Sequence, residues 1–486
     1  MLRRRGVPVA DARQYDAIVV GAGPNGLAAA ITLARAGRSV LVLESRPEVG
    51  GGSRSAALTL PGFVHDVCSA VHPLGRSSPV FSEWPLAEHG LEWIEPPVAL
   101  AHPLDNGGAA LVYRDLDATA AGLGEDGERY RHLIGPIAAD WDLIARELLG
   151  PFRLGPGLRH PFAVGRYALS ALQPVTWLAR RFRTPAGKAL LAGVAAHSFV
   201  RLEKPITGAF ALSLLASAHA VGWPIPRGGS QRIADALASY LRSLGGEIVT
   251  DHTVGSLDGL PPHRAVLLDL TPRQVLAVAG DRLDGMYAAQ LRRYRYGPGV
   301  FKLDLALDGP IPWANPALAE AGTVHLGGPL SQITAAERAV AAGRSANRPF
   351  VLVTQPSLFD DSRAPAGKHV VWAYCHVPNG SQADMTEPIL AQLERFAPGV
   401  SDRIIGRSAM GPAALEAYNA NYIGGDINGG LQDLSQLWTR PALRADPYRT
   451  PDPGIFICSS STPPGGGVHG LCGYHAARSA LRGVLR

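Results

Sequence analysis

The stretch Tyr15-Asp-Ala-Ile-Val-Val-Gly21-Ala-Gly23-Pro-Asn-Gly26 constrains this chain more than any other, because each residue in it answers a demand of one local geometry. Residues 15–20 form an apolar β run. Gly21 allows a tight turn, Gly23 lets the backbone approach a pyrophosphate, and Gly26 lets helix and strand pack closely. Pro24 suits the first helical position, where its missing N–H costs nothing. The helix over 24–36 stops at Gly37, and Ser39-Val-Leu-Val-Leu43 makes a second strand that ends in Glu44. An acid there can accept ribose hydroxyls, while the helix N-terminus turns free N–H groups and its positive dipole end toward the phosphates. Strand, glycines, helix, strand and acid in register therefore predict a complete dinucleotide-binding unit.

A chain of 486 residues exceeds one ordinary core, so roughly two or three domains are expected. With 46% hydrophobic and 18% charged residues it reads as globular. The four cysteines, Cys68, Cys375, Cys458 and Cys472, show no Cys-x-x-Cys spacing. That argues against a disulfide framework and a dithiol redox centre, and suits a reducing compartment. Met1-Leu-Arg-Arg-Arg is basic but is followed by no apolar signal core, so a cytoplasmic protein is expected. The net charge is +5, yet no basic run is interleaved with aromatics, so nucleic acid is not an expected partner. Residues 205–226 are uncharged, but their glycines, serines, His219 and terminal prolines favour a buried helix over a membrane span.

The nucleotide unit resumes far along the chain. A helix over 231–244, for which Ser230 is a cap candidate, leads into a strand at 247–251 and another at 265–270. A strand at 454–458, a glycine loop at 465–467 and a helix over 469–484 add a third piece. The boundaries read as 14–75, 225–295 and 451–486 for the nucleotide-binding domain, with 76–224 and 296–450 as an inserted substrate domain. Within the insertion, residues 136–149 predict one amphipathic helix carrying Ile137, Trp141, Ile144 and Leu148. Residues 150–183 are apolar and studded with arginines; they read first as substrate-domain helices with solvated arginines, and second as a membrane-surface contact. Val300–Leu307 alternates like a half-buried strand, with Lys302 and Asp304 paired on an exposed face. Strands at 351–354 and 369–374 predict a mixed or antiparallel sheet.

Further motifs carry a family resemblance. They are Val49-Gly50-Gly51, then Gly62-Phe-Val-His65-Asp66-Val-Cys68-Ser-Ala-Val71, and Thr462-Pro-Pro-Gly465-Gly466-Gly467-Val468-His469-Gly470. With the first motif, and in the same order over nearly the whole chain, these resemble phytoene desaturase and carotenoid isomerase flavoproteins within the amine-oxidase-like superfamily. The likeness is strongest to the desaturase-like group described as pyridine nucleotide-disulfide oxidoreductase domain-containing. The resemblance implies FAD as cofactor and an α/β fold, with a Rossmann-type FAD-binding domain built from three segments and an inserted α+β substrate domain. It places Gly21, Gly23, Pro24, Asn25, Gly26, Glu44, Ser45, Gly50, Gly51 and Val254 along the dinucleotide, and Gly466, Gly467 and Val468 in a loop closing over the flavin end.

The implied chemistry is hydride transfer from a substrate carbon to flavin N5, desaturating or isomerising an apolar lipid or isoprenoid-like compound. Oxygen or a quinone would then accept the electrons. The chain departs from the carotenoid pattern where Gly52 follows the second glycine pair, with Arg54 two positions later, and at Pro463-Pro464. Amine oxidation is an alternative, and a low-turnover FAD-binding assembly protein is another. Asp426, in the glycine-rich run 418–430, is the acid or base candidate; His65 lies in the expected pocket wall, and Lys302 is a candidate to poise a water near the flavin. His65, Cys68 and His72, like His469, Cys472 and His475, have ligand-like spacing, but pocket packing explains them and no metal is expected.

Overall fold

The computed structural model describes residues 13–151 and 161–486. The basic start at 1–5, and the portion 152–160 of the arginine-studded segment, lie outside the described residues. Strands of three or more residues are, in chain order, β1 (Tyr15–Val20), β2 (Val40–Leu43), β3 (Val98–Pro103), β4 (Ala109–Val112), β5 (Glu247–Val249) and β6 (His263–Leu268). They continue as β7 (Gly299–Leu307), β8 (Ala321–Leu326), β9 (Val351–Thr354), β10 (His369–Val377), β11 (Ile404–Met410) and β12 (Ile455–Ile457). The helices that position the site are α1 (Pro24–Arg35), α2 (Gly127–Ala139), α3 (Trp141–Leu148) and α4 (Pro161–Ala171). To these are added α5 (Pro185–Ala195), α6 (Thr207–Ala220), α7 (Gln231–Ser243) and α8 (Leu471–Leu481).

Five strands form an all-parallel sheet in the order β12-β6-β1-β2-β5, drawn from three separated stretches of chain. Alternation splits its side chains cleanly. Ala17, Val19, Val40 and Val42 enter the core under α1, whereas Ile18, Val20, Leu41 and Leu43 fill the core on the other face. Burial on both faces explains why these strands read as unbroken apolar runs. The fold is thus mixed α/β around a Rossmann-like parallel core, as the glycine motif predicts.

The second sheet has seven strands in the order β11-β7-β10-β9-β8-β3-β4. Only β8 and β3 pair in parallel, so the sheet is mixed. Its strand β7 corrects one expectation. Phe301, Leu303, Leu305 and Leu307 do share one apolar face, but Lys302 and Asp304 are buried as well, at 2% and 0% exposure. They form an ion pair in the interior, because the second face of β7 is covered by distant segments that local alternation cannot report.

Two further expectations change. The single helix over 136–149 is two helices, α2 and α3, separated at Asp140, whose φ of −94° and ψ of 15° leave the helical region. Pro136 inside α2 removes a backbone donor near that break. Ser230 has helical φ/ψ and makes no side-chain cap; its hydroxyl donates instead to the Ser69 carbonyl at 2.7 Å. The uncharged stretch 205–226 forms α6 with Ala211, Leu212, Leu215 and Ala216 in the core. Among the described residues, no helix is long and apolar enough to cross a membrane.

Candidate functional site

The glycine turn is shaped for a ligand. Gly21 has φ +104°, and a Cβ on Gly26 would lie 2.0 Å from the Gly21 carbonyl oxygen, so neither position accepts a side chain. Pro24 occupies the first helical position of α1, as expected. The second glycine pair is strapped to the first: the Gly50 N–H donates to the Ala22 carbonyl at 2.8 Å, and a Cβ on Gly51 would meet Gly23 Cα at 3.0 Å.

Glu44 stands at the carboxyl end of β2, buried, and is held from three sides. Its Oε2 accepts the Ala22 N–H at 2.8 Å, and its Oε1 accepts the Arg46 N–H at 3.0 Å. The Arg54 guanidinium pairs with Oε1 at 3.1 Å. This fixes one acid beside the glycine turn with its countercharge supplied by the chain.

One cavity of about 760 Å³ runs from this turn into the interior. Gly21, Gly23, Pro24, Asn25, Glu44, Ser45 and Gly51 line its first end. Gly466, Gly467, Val468 and His469, from the loop before α8, border it farther along. Beyond lies a chamber walled by Tyr167, Phe210, Trp223, Trp372 and Tyr374, with His197 at its edge. Burial pushes the Tyr167 phenol up to about 12 and the His197 imidazole down to about 3, so both are neutral.

The lining contains polar atoms that the protein itself leaves unmatched. Asn25 Oδ1, Asn428 Nδ2 and Trp372 Nε1 are buried without a hydrogen-bond partner. Orphans of this kind are rare in folded proteins unless a ligand or water completes them. His469 borders the same cavity and is bonded within its own loop. Its Nδ1 accepts the Leu471 N–H at 3.1 Å, and burial lowers its pKa to about 4. The ring is therefore neutral, with its proton assigned to Nε2, a donor turned to the loop. Acceptors, donors and side-chain-free backbone lining one cavity suit a dinucleotide such as FAD.

Other sequence candidates fall elsewhere. Gly26 and Gly50 support the turn from behind without lining the cavity, and Val254 packs into the core beneath β1 and β2, although its neighbour Thr253 does line it. Asp426 is buried off the lining, where its carboxylate accepts the Gly297 N–H at 2.7 Å and the Asn428 N–H at 2.8 Å. Burial raises its pKa, and its geometry is that of a brace holding Asn428 and Gly429 against the cavity. His65 and Lys302 also lie outside the lining. His65 Nε2 shares a hydrogen with Thr59 Oγ1 at 2.7 Å, its Nδ1 sits 3.5 Å from Asp304, and Lys302 closes this buried cluster through the same aspartate. Among the described residues no group of three or more His, Cys, Asp or Glu side chains is arranged to hold a metal ion.

The aromatic chamber and Asp269 were not singled out from the sequence. The chamber draws on α4, α6, β8, β9 and β10, whose convergence no local pattern encodes. Asp269 did leave a trace. It directly follows the apolar strand β6, and ligands in open parallel sheets gather at the carboxyl ends of strands.

The fold defines a mixed α/β protein with a Rossmann-like parallel core beside a seven-stranded mixed sheet. Comparison agrees: residues 19–84 match the family model of an NAD(P)-binding Rossmann-like domain. Over 96% of its length the chain is similar, at 27% identity, to 94% of pyridine nucleotide-disulfide oxidoreductase domain-containing protein 2 of Rattus norvegicus. Over 98% it is similar, at 24% identity, to 96% of a limonene dehydrogenase subunit of Castellaniella defragrans. In fold, 97% of the chain matches 99% of a putrescine oxidase double mutant with a TM-score of 0.62 at 18% identity.

Proposed function

We propose that this protein is an FAD-dependent oxidoreductase that desaturates or isomerises an apolar, lipid or isoprenoid-like substrate. The observation that carries the reading is continuity: the glycine turn and Glu44 open into the same cavity as the aromatic chamber. FAD, when bound, would supply hydride acceptance at its N5, with oxygen or a quinone as the later electron acceptor. The chain's part is binding, orientation and exclusion of water. The α1 N-terminus would receive the pyrophosphate and Glu44 the ribose, while Asn428 Nδ2 would offer a donor from the same lining. Trp223, whose indole donates to Thr323 Oγ1 at 2.9 Å, and the neighbouring Trp372 and Tyr374 make a stiff apolar wall with no charged side chain among them.

Two relatives bear on the substrate. The limonene dehydrogenase subunit, by its name, belongs with an enzyme acting on limonene, which favours a hydrocarbon-like substrate here. The putrescine oxidase shares only the fold at its level of identity, and among the described residues the acids lining the cavity, Glu44 and Asp269, belong to the glycine turn and not to the aromatic chamber. Peripheral contact with a lipid surface belongs to the same proposal. Helix α4 supplies Tyr167 to the chamber and also exposes Phe162 and Leu169, at 90% and 75%; Trp177 follows, with Arg180, Arg181 and Arg183 on the exposed side. Apolar side chains among arginines suit an anionic membrane surface.

Anaerobic mixing of the purified holoprotein with terpene hydrocarbons, isoprenoid lipids and primary amines tests the substrate class. Bleaching of the flavin by hydrocarbons or isoprenoids is expected; bleaching by amines alone would transfer the protein to amine oxidation. Resistance to all of them, with partner proteins co-purifying, would favour an assembly role.

A further inference from the structure

Asp269 sits inside the turn that the dinucleotide would occupy. Its backbone is fixed by its own N–H donating to the Val20 carbonyl at 2.8 Å and by Asn421 Nδ2 donating to its carbonyl at 2.9 Å. Its Oδ2 accepts the Gly26 N–H at 3.0 Å, taking one of the first-turn donors of α1. The motif glycines make room for it: a Cβ on Gly23 would lie 2.9 Å from Asp269 Oδ2, and one on Gly21 would lie 3.1 Å from its Cβ. Asp269 also lines the cavity.

The charges around it do not balance. From β2, Glu44 faces the same turn, and Arg54 is already paired with it. Just after β12 and from α8 come Cys458 and Cys472, thiols that burial pushes up and so keeps neutral. Among the described residues no cation pairs with Asp269. A pyrophosphate brought to the α1 N-terminus would add further negative charge within a few ångströms of this unmatched carboxyl, and like charges sharing a site force one group to take a proton.

Resting on the FAD reading above, we propose that Asp269 is a cofactor-site residue whose carboxyl is the neutral acid in the dinucleotide complex, so that binding takes up one proton there. As an acid it keeps Oδ2 as acceptor for Gly26 and gains an O–H to donate to the ligand, where a carboxylate would repel it. Burial, and then the charge of Glu44, already raise its pKa to about 7 against the opposing Gly26 hydrogen bond. Binding raises it further. Affinity is therefore greatest below about pH 7 and falls as pH rises, by up to about tenfold per unit for one linked proton.

The test is calorimetric titration of FAD into the flavin-stripped full-length protein at about pH 8, in two buffers of different ionisation enthalpy, for wild type and Asp269→Asn. The expected result is uptake of close to one proton by wild type and none by the variant, whose affinity should be flat with pH. Should Asp269→Asn fail to fold, Asp269→Ser takes its place, and the wild-type proton count stands by itself. FAD binding without proton uptake by wild type, or equal uptake by the variant, overturns the role of Asp269. Absence of FAD binding by folded wild type overturns the cofactor reading itself, a separate and recognisable result.

Discussion

At the scale of single residues, Glu44 and the α1 glycines carry the cofactor reading. Glu44→Ala removes a buried, charge-assisted acceptor and leaves Arg54 without its partner. FAD affinity should fall roughly 10- to 100-fold, read by titrating the stripped protein, given about 1.5–3 kcal/mol for hydrogen bonds to charged groups. An unchanged affinity would remove Glu44 from the ribose site. Gly23→Val should yield colourless protein, because its side chain would press on Asp269 Oδ2 and fill the pyrophosphate's approach. Residues of this kind are visible in the sequence because turn chemistry is local. Lys302 and Asp426 show the opposite limit. Both carry attractive chemistry, but whether a charged side chain faces a cavity depends on segments dozens of residues away. Here those segments close over Lys302 and turn Asp426 into a backbone acceptor.

At the scale of elements, α1 and α8 form the contact on which the turn rests. A Cβ on Gly473 would lie 1.7 Å from the Asn25 carbonyl oxygen, so Gly473→Ala must push the two helices apart. A loss of about 1–3 kcal/mol is expected, seen as a lower Tm, together with weaker FAD retention because Asn25 lines the cavity. Helix α4 carries the membrane proposal. Phe162→Ser with Trp177→Ser should abolish sedimentation with anionic vesicles while leaving the Tm unchanged; retained binding would place lipid contact elsewhere. Strand and helix periods made most elements readable, including all five strands of the parallel sheet. The break between α2 and α3 escaped because the apolar spacing of Ile137, Trp141 and Ile144 continues across it.

At the scale of the whole molecule, buried neutral histidines tie stability to pH. Burial lowers His72, His102 and His469 to about 4. The unfolded chain binds protons at these sites near pH 6.5, whereas the folded chain does not until about pH 4, so their stabilising contribution is full above the first value and declines below it. Each contributes up to about 1.4 kcal/mol per pH unit across that window. Urea midpoints should therefore drop steadily from about pH 7 toward about pH 4.5, and a flat profile would contradict the burial of these rings. The three-part assembly of the parallel sheet was readable because each part carries its own strand signal. The chamber was not, since its wall is assembled from five elements that share no sequence pattern.

One measurement bears most directly on the cofactor: the visible absorption spectrum of the purified protein, with identification of any nucleotide released on denaturation. A two-band flavin spectrum and release of free FAD are the predicted result. Protein that is colourless as purified and gains no flavin band when FAD is added would contradict the assignment of the glycine turn, Glu44 and the cavity they open to a flavin dinucleotide.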